Sequence, residues 1–159
     1  MPERNTCPRP GSTIVVEGVH AVPTLTDSAP GRKIAFVDAS ALVALADRDD
    51  ASHGAAMSAY RDLVASDFRL FTTDFALANA HDLLMQILGT EIARSWLAQC
   101  AILVECVTAA DLEEGRRTIE EGWSAPGATL TDATHLAVLD RLGVTDVFAV
   151  DRAFLAILG

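Results

Sequence analysis

The chain has 159 residues, of which 50% are apolar and 21% charged, enough for one domain with a sizeable core and little more. Its net charge of −10 excludes a protein that grips nucleic acid by bulk charge, but not an enzyme whose metal ions meet phosphate. No apolar run reaches the ~18 residues of a membrane span and no signal-peptide core opens the chain, so a cytoplasmic protein is expected. The acidic surface suits a basic partner protein. Lys33 is the only lysine. The remaining positive charge is arginine, which pairs with phosphate or carboxylate through a planar fork. Cys7, Cys100 and Cys106 match no usual zinc spacing and read as reduced structural thiols.

Residues 1–33 differ from the rest. Pro2, Pro8, Pro10, Pro23 and Pro30, with Gly11, Gly18 and Gly31, break any long element, and only Thr13 to Val16 is strand-like. This part is expected to be a flexible N-terminal extension to a domain over 34–159. From Ile34 onward strands and helices alternate. Ile34 to Val37 is apolar enough for a strand buried on both faces, and it ends abruptly at Asp38. Helices are predicted over Ser40 to Ala46 and Ala51 to Ala65, then a strand from Phe68 to Thr72. Asp74 to Leu88 reads as a helix capped by Thr73 or Asp74 and stopped by Gly89. Thr90 to Gln99 is helical, Ile102 to Val107 a third strand, and a Thr108-capped helix runs to Glu121. After a loop over 122–128, Leu130 opens a helix that ends at Leu142-Gly143. Val147 to Val150 is the fourth strand, running into Asp151. The alternation implies a parallel sheet between helices with right-handed crossovers.

Three acids share a context. Asp38 follows strand one, Asp151 follows strand four, and Asp132 lies in the first turn of the helix between. Singly, each has an ordinary explanation as a cap, a turn residue or a first-turn acid. Together, acids at the carboxyl ends of neighbouring parallel strands converge on one crevice. Crowded carboxylates repel, and a divalent cation relieves them; oxygen-only ligands favour Mg²⁺ or Mn²⁺. Such a site can activate water and neutralise a phosphodiester.

Four segments carry a resemblance. They are Phe36-Val37-Asp38-Ala39-Ser40-Ala41-Leu42, Thr72-Thr73-Asp74-Phe75, Leu130-Thr131-Asp132-Ala133-Thr134 and Phe148-Ala149-Val150-Asp151-Arg152-Ala153-Phe154. In order and spacing the set resembles the PIN-domain family, and more narrowly the VapC-type toxins of bacterial toxin–antitoxin pairs, over about residues 34–158. The resemblance implies a three-layer α/β/α sandwich around a mostly parallel sheet of about four to five strands. It also implies a Mg²⁺- or Mn²⁺-dependent endoribonuclease with a four-carboxylate pocket, usually a homodimer silenced by a cognate antitoxin. Asp38, Asp132 and Asp151 match three of the acids, Ser40 a hydroxyl near the first, and Thr131 a hydroxyl beside the third.

The pattern departs at the remaining acid. The family's middle helix carries a Glu where this chain has Asn79. A carboxamide offers a hard cation one carbonyl oxygen and no charge. Asp82 lies ~60° around the helix from Asn79, with Gln86 between them, and is a weaker candidate for direct ligation. Gln86 reads as a solvated edge. His53, His81 and His135 show no paired ligand spacing; His135, three residues past Asp132, has the pocket within reach, but a satisfied surface or edge histidine is the commoner case and is expected. Arg152 is a candidate RNA-phosphate contact or a rim salt bridge. Arg116 and Arg117 sit among glutamates in a pattern of helix pairing.

Two other enzyme classes place acids at sheet ends. A phospho-acceptor receiver needs a lysine after the acceptor strand, and none follows Lys33; a haloacid-dehalogenase-type phosphatase wants an acid where Ser40 stands. The remaining alternative to a ribonuclease is a PIN-like module, weakened at Asn79, that binds RNA or protein.

Overall fold

The computed structural model describes Leu25, Gly31 and residues 33–123 and 126–158. The expected extension over 1–33, including Thr13 to Val16, lies outside the described residues except for Leu25, Gly31 and Lys33; Leu25 packs against the core. Strands β1 (Ile34–Val37), β2 (Arg69–Thr73), β3 (Leu103–Glu105) and β4 (Asp146–Phe148) form one parallel sheet in the order β3-β2-β1-β4. Helices α1 (Ala39–Ala46) and α2 (His53–Ala65) follow β1, and α3 (Asp74–Leu88) and α4 (Thr90–Gln99) follow β2. Helices α5 (Ala109–Glu120) and α6 (Leu130–Leu142) precede β4, and α7 (Arg152–Leu158) closes the described chain.

Strand order and crossover hand determine the layers. The chain steps from β1 to β2 to β3 in one direction, so right-handed crossovers put α1 to α4 on one face. The return from β3 to β4 reverses direction and puts α5 and α6 on the other. Packing agrees: α1 meets α2 and α3, α3 meets α4, and α5 meets α6. The result is an α/β/α sandwich. The order reverses between β1 and β4, which opens a crevice at the carboxyl ends of those two strands. Phe36 and Phe71, paired in register on β1 and β2, are fully buried with ring centroids 5.7 Å apart.

Helix ends follow the expected local chemistry. Thr73 caps α3 through the Ala76 amide, Thr108 and Asp111 form a reciprocal box on α5, and Gly143 ends α6 in the left-handed region. Several boundaries differ from the sequence reading, and side-chain hydrogen bonds explain them. Helix α2 starts at His53 rather than Ala51 because the Asp50 carboxylate accepts from the Ser52 amide at 2.6 Å, holding a turn there. Strand β3 stops short of Val107, whose amide donates to Asp74 Oδ1 at 3.0 Å. Strand β4 stops at Phe148 because the amides of Val150 and Asp151 both donate to Ser40 Oγ at 3.2 Å.

Helices α5 and α6 pack through a glycine and an ion-pair clamp. A Cβ on Gly115 would stand 2.6 Å from Thr134 Oγ1 and 2.8 Å from its backbone nitrogen, so only glycine permits this approach. Arg141 on α6 grips Asp111 with two hydrogen bonds, 2.8 and 3.0 Å, and reaches Glu105 at 3.1 Å. Burial alone would raise the Asp111 carboxyl; Arg141 and the Thr108 cap outweigh it and hold it below the usual range. Arg116 and Arg117 pair along α5 with Glu113, Glu120, Glu114 and Glu121, as their spacing suggested. Cys100 and Cys106 flank β3 and are half-buried. No helix among the described residues is long and apolar enough to cross a membrane.

Candidate active site

Asp38 leaves the sheet at the end of β1, where its amide donates to the Phe148 carbonyl of β4 at 2.9 Å. Its Oδ2 then caps α1, accepting from the Ser40 amide at 2.9 Å and from Ser40 Oγ at 2.6 Å. That same hydroxyl accepts the two amides at Val150 and Asp151. One serine therefore ties the first acid to the backbone of the last, across 111 residues of sequence.

Asp132 and Asp151 follow the same local logic. Oδ2 of Asp132 accepts from the amide and hydroxyl of Thr129, both at 2.8 Å, in a capping box on α6. Oδ1 of Asp151 accepts from the Ala153 amide at 2.9 Å and starts α7. The ordinary and functional explanations of these acids are thus not exclusive. In each, one carboxylate oxygen caps a helix, and the other makes no hydrogen bond among the described residues.

The three acids line one cavity of about 650 Å³ together with Asn79 and Asp82 of α3. Ser40, Thr129, Thr131 and Gly127 complete its polar wall, and Phe75, Ala78 and Leu83 its apolar wall. Gln86 does not line it, in keeping with a solvated edge. Among the described residues no lysine or arginine lines the cavity, so four carboxylates share it without a permanent counter-charge from those residues. Asp82, whose side chain is 66% exposed, stands 3.4 Å from His81 Nδ1. Arg152, exposed on the first turn of α7, makes no ion pair with these acids among the described residues. Hard oxygen donors without counter-charge fit Mg²⁺ or Mn²⁺ by chemistry. Among the described residues, no group of three or more acidic, imidazole or thiol side chains stands close enough together to hold one metal ion. The donors line the cavity without forming a cage.

His135 departs from the sequence reading. It is buried, 1% exposed, with Nε2 2.8 Å from Thr73 Oγ1, rather than at a surface or edge. The available signal was the apolar pair Val138 and Leu139, three and four residues on and so on the same face of α6, which turns inward. Burial pushes its pKa below 6.5, against the pull of Asp38, Asp132 and Asp74. The folded ring is then neutral where the unfolded one takes a proton. The stability it protects is complete above about pH 6.5 and drains as pH falls from there toward the lower folded pKa, by at most about 1.4 kcal/mol per pH unit. Denaturant unfolding of the parent is therefore expected to weaken between pH 7.5 and 5.5. His135→Gln should lose clearly less over the same interval; equal losses would assign the effect to other groups.

No protein-family model matches the chain, and no curated protein matches it. Among solved structures it is similar to Mycobacterium tuberculosis VapC20, described as a sarcin–ricin-loop-cleaving toxin. The identity is 28% and the TM-score 0.66, over 77% of this chain and 94% of that one. It shares its fold with PAE2754 from Pyrobaculum aerophilum at 22% identity and a TM-score of 0.51, over 86% and 88% of the two chains.

Proposed function

We propose that the chain, which is a PIN domain of the VapC type, is a divalent-metal-dependent endoribonuclease acting as the toxin of a toxin–antitoxin pair. The observation that carries this reading is the crevice at the β1–β4 switch point, where Asp38, Asp82, Asp132 and Asp151 share one cavity with no basic residue in its walls among the described residues. The likeness to a toxin that cleaves RNA supports RNA as the substrate.

In this reading Asp38, Asp132 and Asp151 hold Mg²⁺ or Mn²⁺, and Asn79 offers a carbonyl oxygen. When bound, the cation supplies an activated water and offsets charge on the scissile phosphate. The chain's own residues prepare the site. Ser40 spaces Asp38 from Asp151, the Thr129 box fixes Asp132, and Thr131 adds a hydroxyl to the rim. In this reading Arg152, exposed next to Asp151, meets an RNA phosphate beyond the acids. RNA, a cognate antitoxin and a second copy of the chain are the partners.

Titration with Mn²⁺ tests the reading. Saturable binding that vanishes in Asp38→Ala and Asp132→Ala is the expected result; no binding at millimolar metal would leave the second reading, a PIN-like module that binds RNA or protein. Asn79, an uncharged residue in a cavity of acids, is what favours that second reading. The same position yields a gain-of-function prediction. Asn79→Glu, exposed on α3 and neutral for the helix, should bind Mn²⁺ roughly tenfold more tightly, because affinity follows ligand charge, and should cleave faster. If Asn79→Glu is no better than the parent while Asp82→Ala is inactive, Asp82 holds the fourth ligand position.

A further inference from the structure

His135 touches every element that brings a candidate ligand to the crevice. Its ring lies 5.0 Å, centroid to centroid, from Phe36 on β1, two residues before Asp38. It also meets Phe154 of α7 edge-on at 6.3 Å, three residues after Asp151, and closes a three-ring cluster, since Phe36 and Phe154 themselves stand 6.3 Å apart. Nε2 is hydrogen-bonded to Thr73 Oγ1, the hydroxyl that caps α3 by accepting from Ala76 at 3.0 Å, and α3 carries Asn79 and Asp82. His135 itself stands one turn past Asp132 on α6.

Its other nitrogen is the telling feature. Nδ1 is buried with no hydrogen-bond partner among the described residues. A buried polar atom left unpaired destabilises a fold, and an aromatic hydrocarbon of similar shape would fill the space without that penalty. Phe36 and Phe154 already show that this layer accepts phenyl rings. What phenylalanine lacks at position 135 is the link from Nε2 to the Thr73 hydroxyl.

We propose that His135 is a positioning residue: packed against both Phe36 and Phe154 and bonded to Thr73, it sets the relative placement of the four segments that present Asp38, Asn79 with Asp82, Asp132 and Asp151. The proposal takes its functional meaning from the ribonuclease reading, but its geometry is tested on the metal-free protein. Hydrogen exchange is followed at the capped amides of Ser40, Ala76, Asp132 and Ala153 in the parent, His135→Phe and His135→Gln. In His135→Phe, global stability should stay close to that of the parent, because loss of the unpaired Nδ1 offsets the partner that the Thr73 hydroxyl loses, while the Ala76 amide exchanges about tenfold faster, as for one lost buried hydrogen bond. The amides of Asp132 and Ala153 should loosen with it. His135→Gln, whose side-chain amide can hydrogen-bond the Thr73 hydroxyl as donor or acceptor, should restore protection. Unchanged exchange in His135→Phe overturns the proposal, as does loosening that only follows a fall in global stability. Should His135→Phe not fold, His135→Leu carries the same comparison. Mn²⁺ titration of the parent in parallel separates the two ideas, since failure to bind metal counts against the ribonuclease and leaves the exchange result to decide the positioning role.

Discussion

Asp38→Asn is expected to abolish saturable Mn²⁺ binding and to slow RNA cleavage by about 10³-fold, with little change in stability. The magnitude follows the 10²–10³-fold loss typical when one electrostatic group at a reacting centre is removed. The stability argument rests on the cap. Asn is as good an N-cap as Asp, so its side-chain oxygen still accepts from the Ser40 amide and hydroxyl. What disappears is the charge alone. Asp38→Ala removes both charge and cap, and should lose about 1 kcal/mol of stability besides. Isothermal titration with Mn²⁺ and single-turnover cleavage check the first claim, and denaturant unfolding the second. Retention of metal affinity in Asp38→Asn would mean that this carboxylate serves the helix and nothing else.

Gly115→Ala should have the largest effect on folding. Alanine in a helix interior is ordinarily worth about 1 kcal/mol more than glycine, so a bare propensity argument predicts stabilisation. Here the new methyl would press on the backbone of Thr134 at 2.8 Å, which cannot rotate out of the way as a side-chain tip would. Overpacking of this kind costs about 1–3 kcal/mol or more. With backbone as the obstacle, the upper end applies and leaves a net loss of about 2 kcal/mol, or a thermal midpoint lower by roughly 8 °C. Thermal unfolding followed by circular dichroism decides this. A midpoint at or above the parent's would show that α5 and α6 can part without loss.

The sequence carried the architecture because its signals are local. An apolar tetrad at Ile34, threonine caps at Thr73 and Thr108, and glycine stops at Gly89 and Gly143 each act within a few residues. The acids were legible for the same reason: each follows a strand or opens a helix, and parallel topology does the rest. Long-range contacts were not legible. Nothing near Ser40 announces that its hydroxyl takes two amides from the other end of the chain and so ends β4 early. Helix α7 went unread because its anchor is Phe154 against Phe36, a contact between distant segments. His135 was assigned to a surface or edge because histidine usually stands there, whereas its environment is set by Phe36, Thr73 and Phe154. Gly115 gave no sign of its role, since the atom it must avoid belongs to Thr134, on the next helix.

The measurement that bears most directly on the central claim is cleavage itself. Purified protein is incubated with total RNA and Mn²⁺, and the new 5′ and 3′ ends are mapped beside an Asp132→Asn control, in which the Thr129 cap is kept and the charge lost. Discrete, Mn²⁺-dependent cuts made by the parent and absent from the control are the predicted result. Intact RNA at millimolar Mn²⁺, or the same cuts from Asp132→Asn, would contradict it.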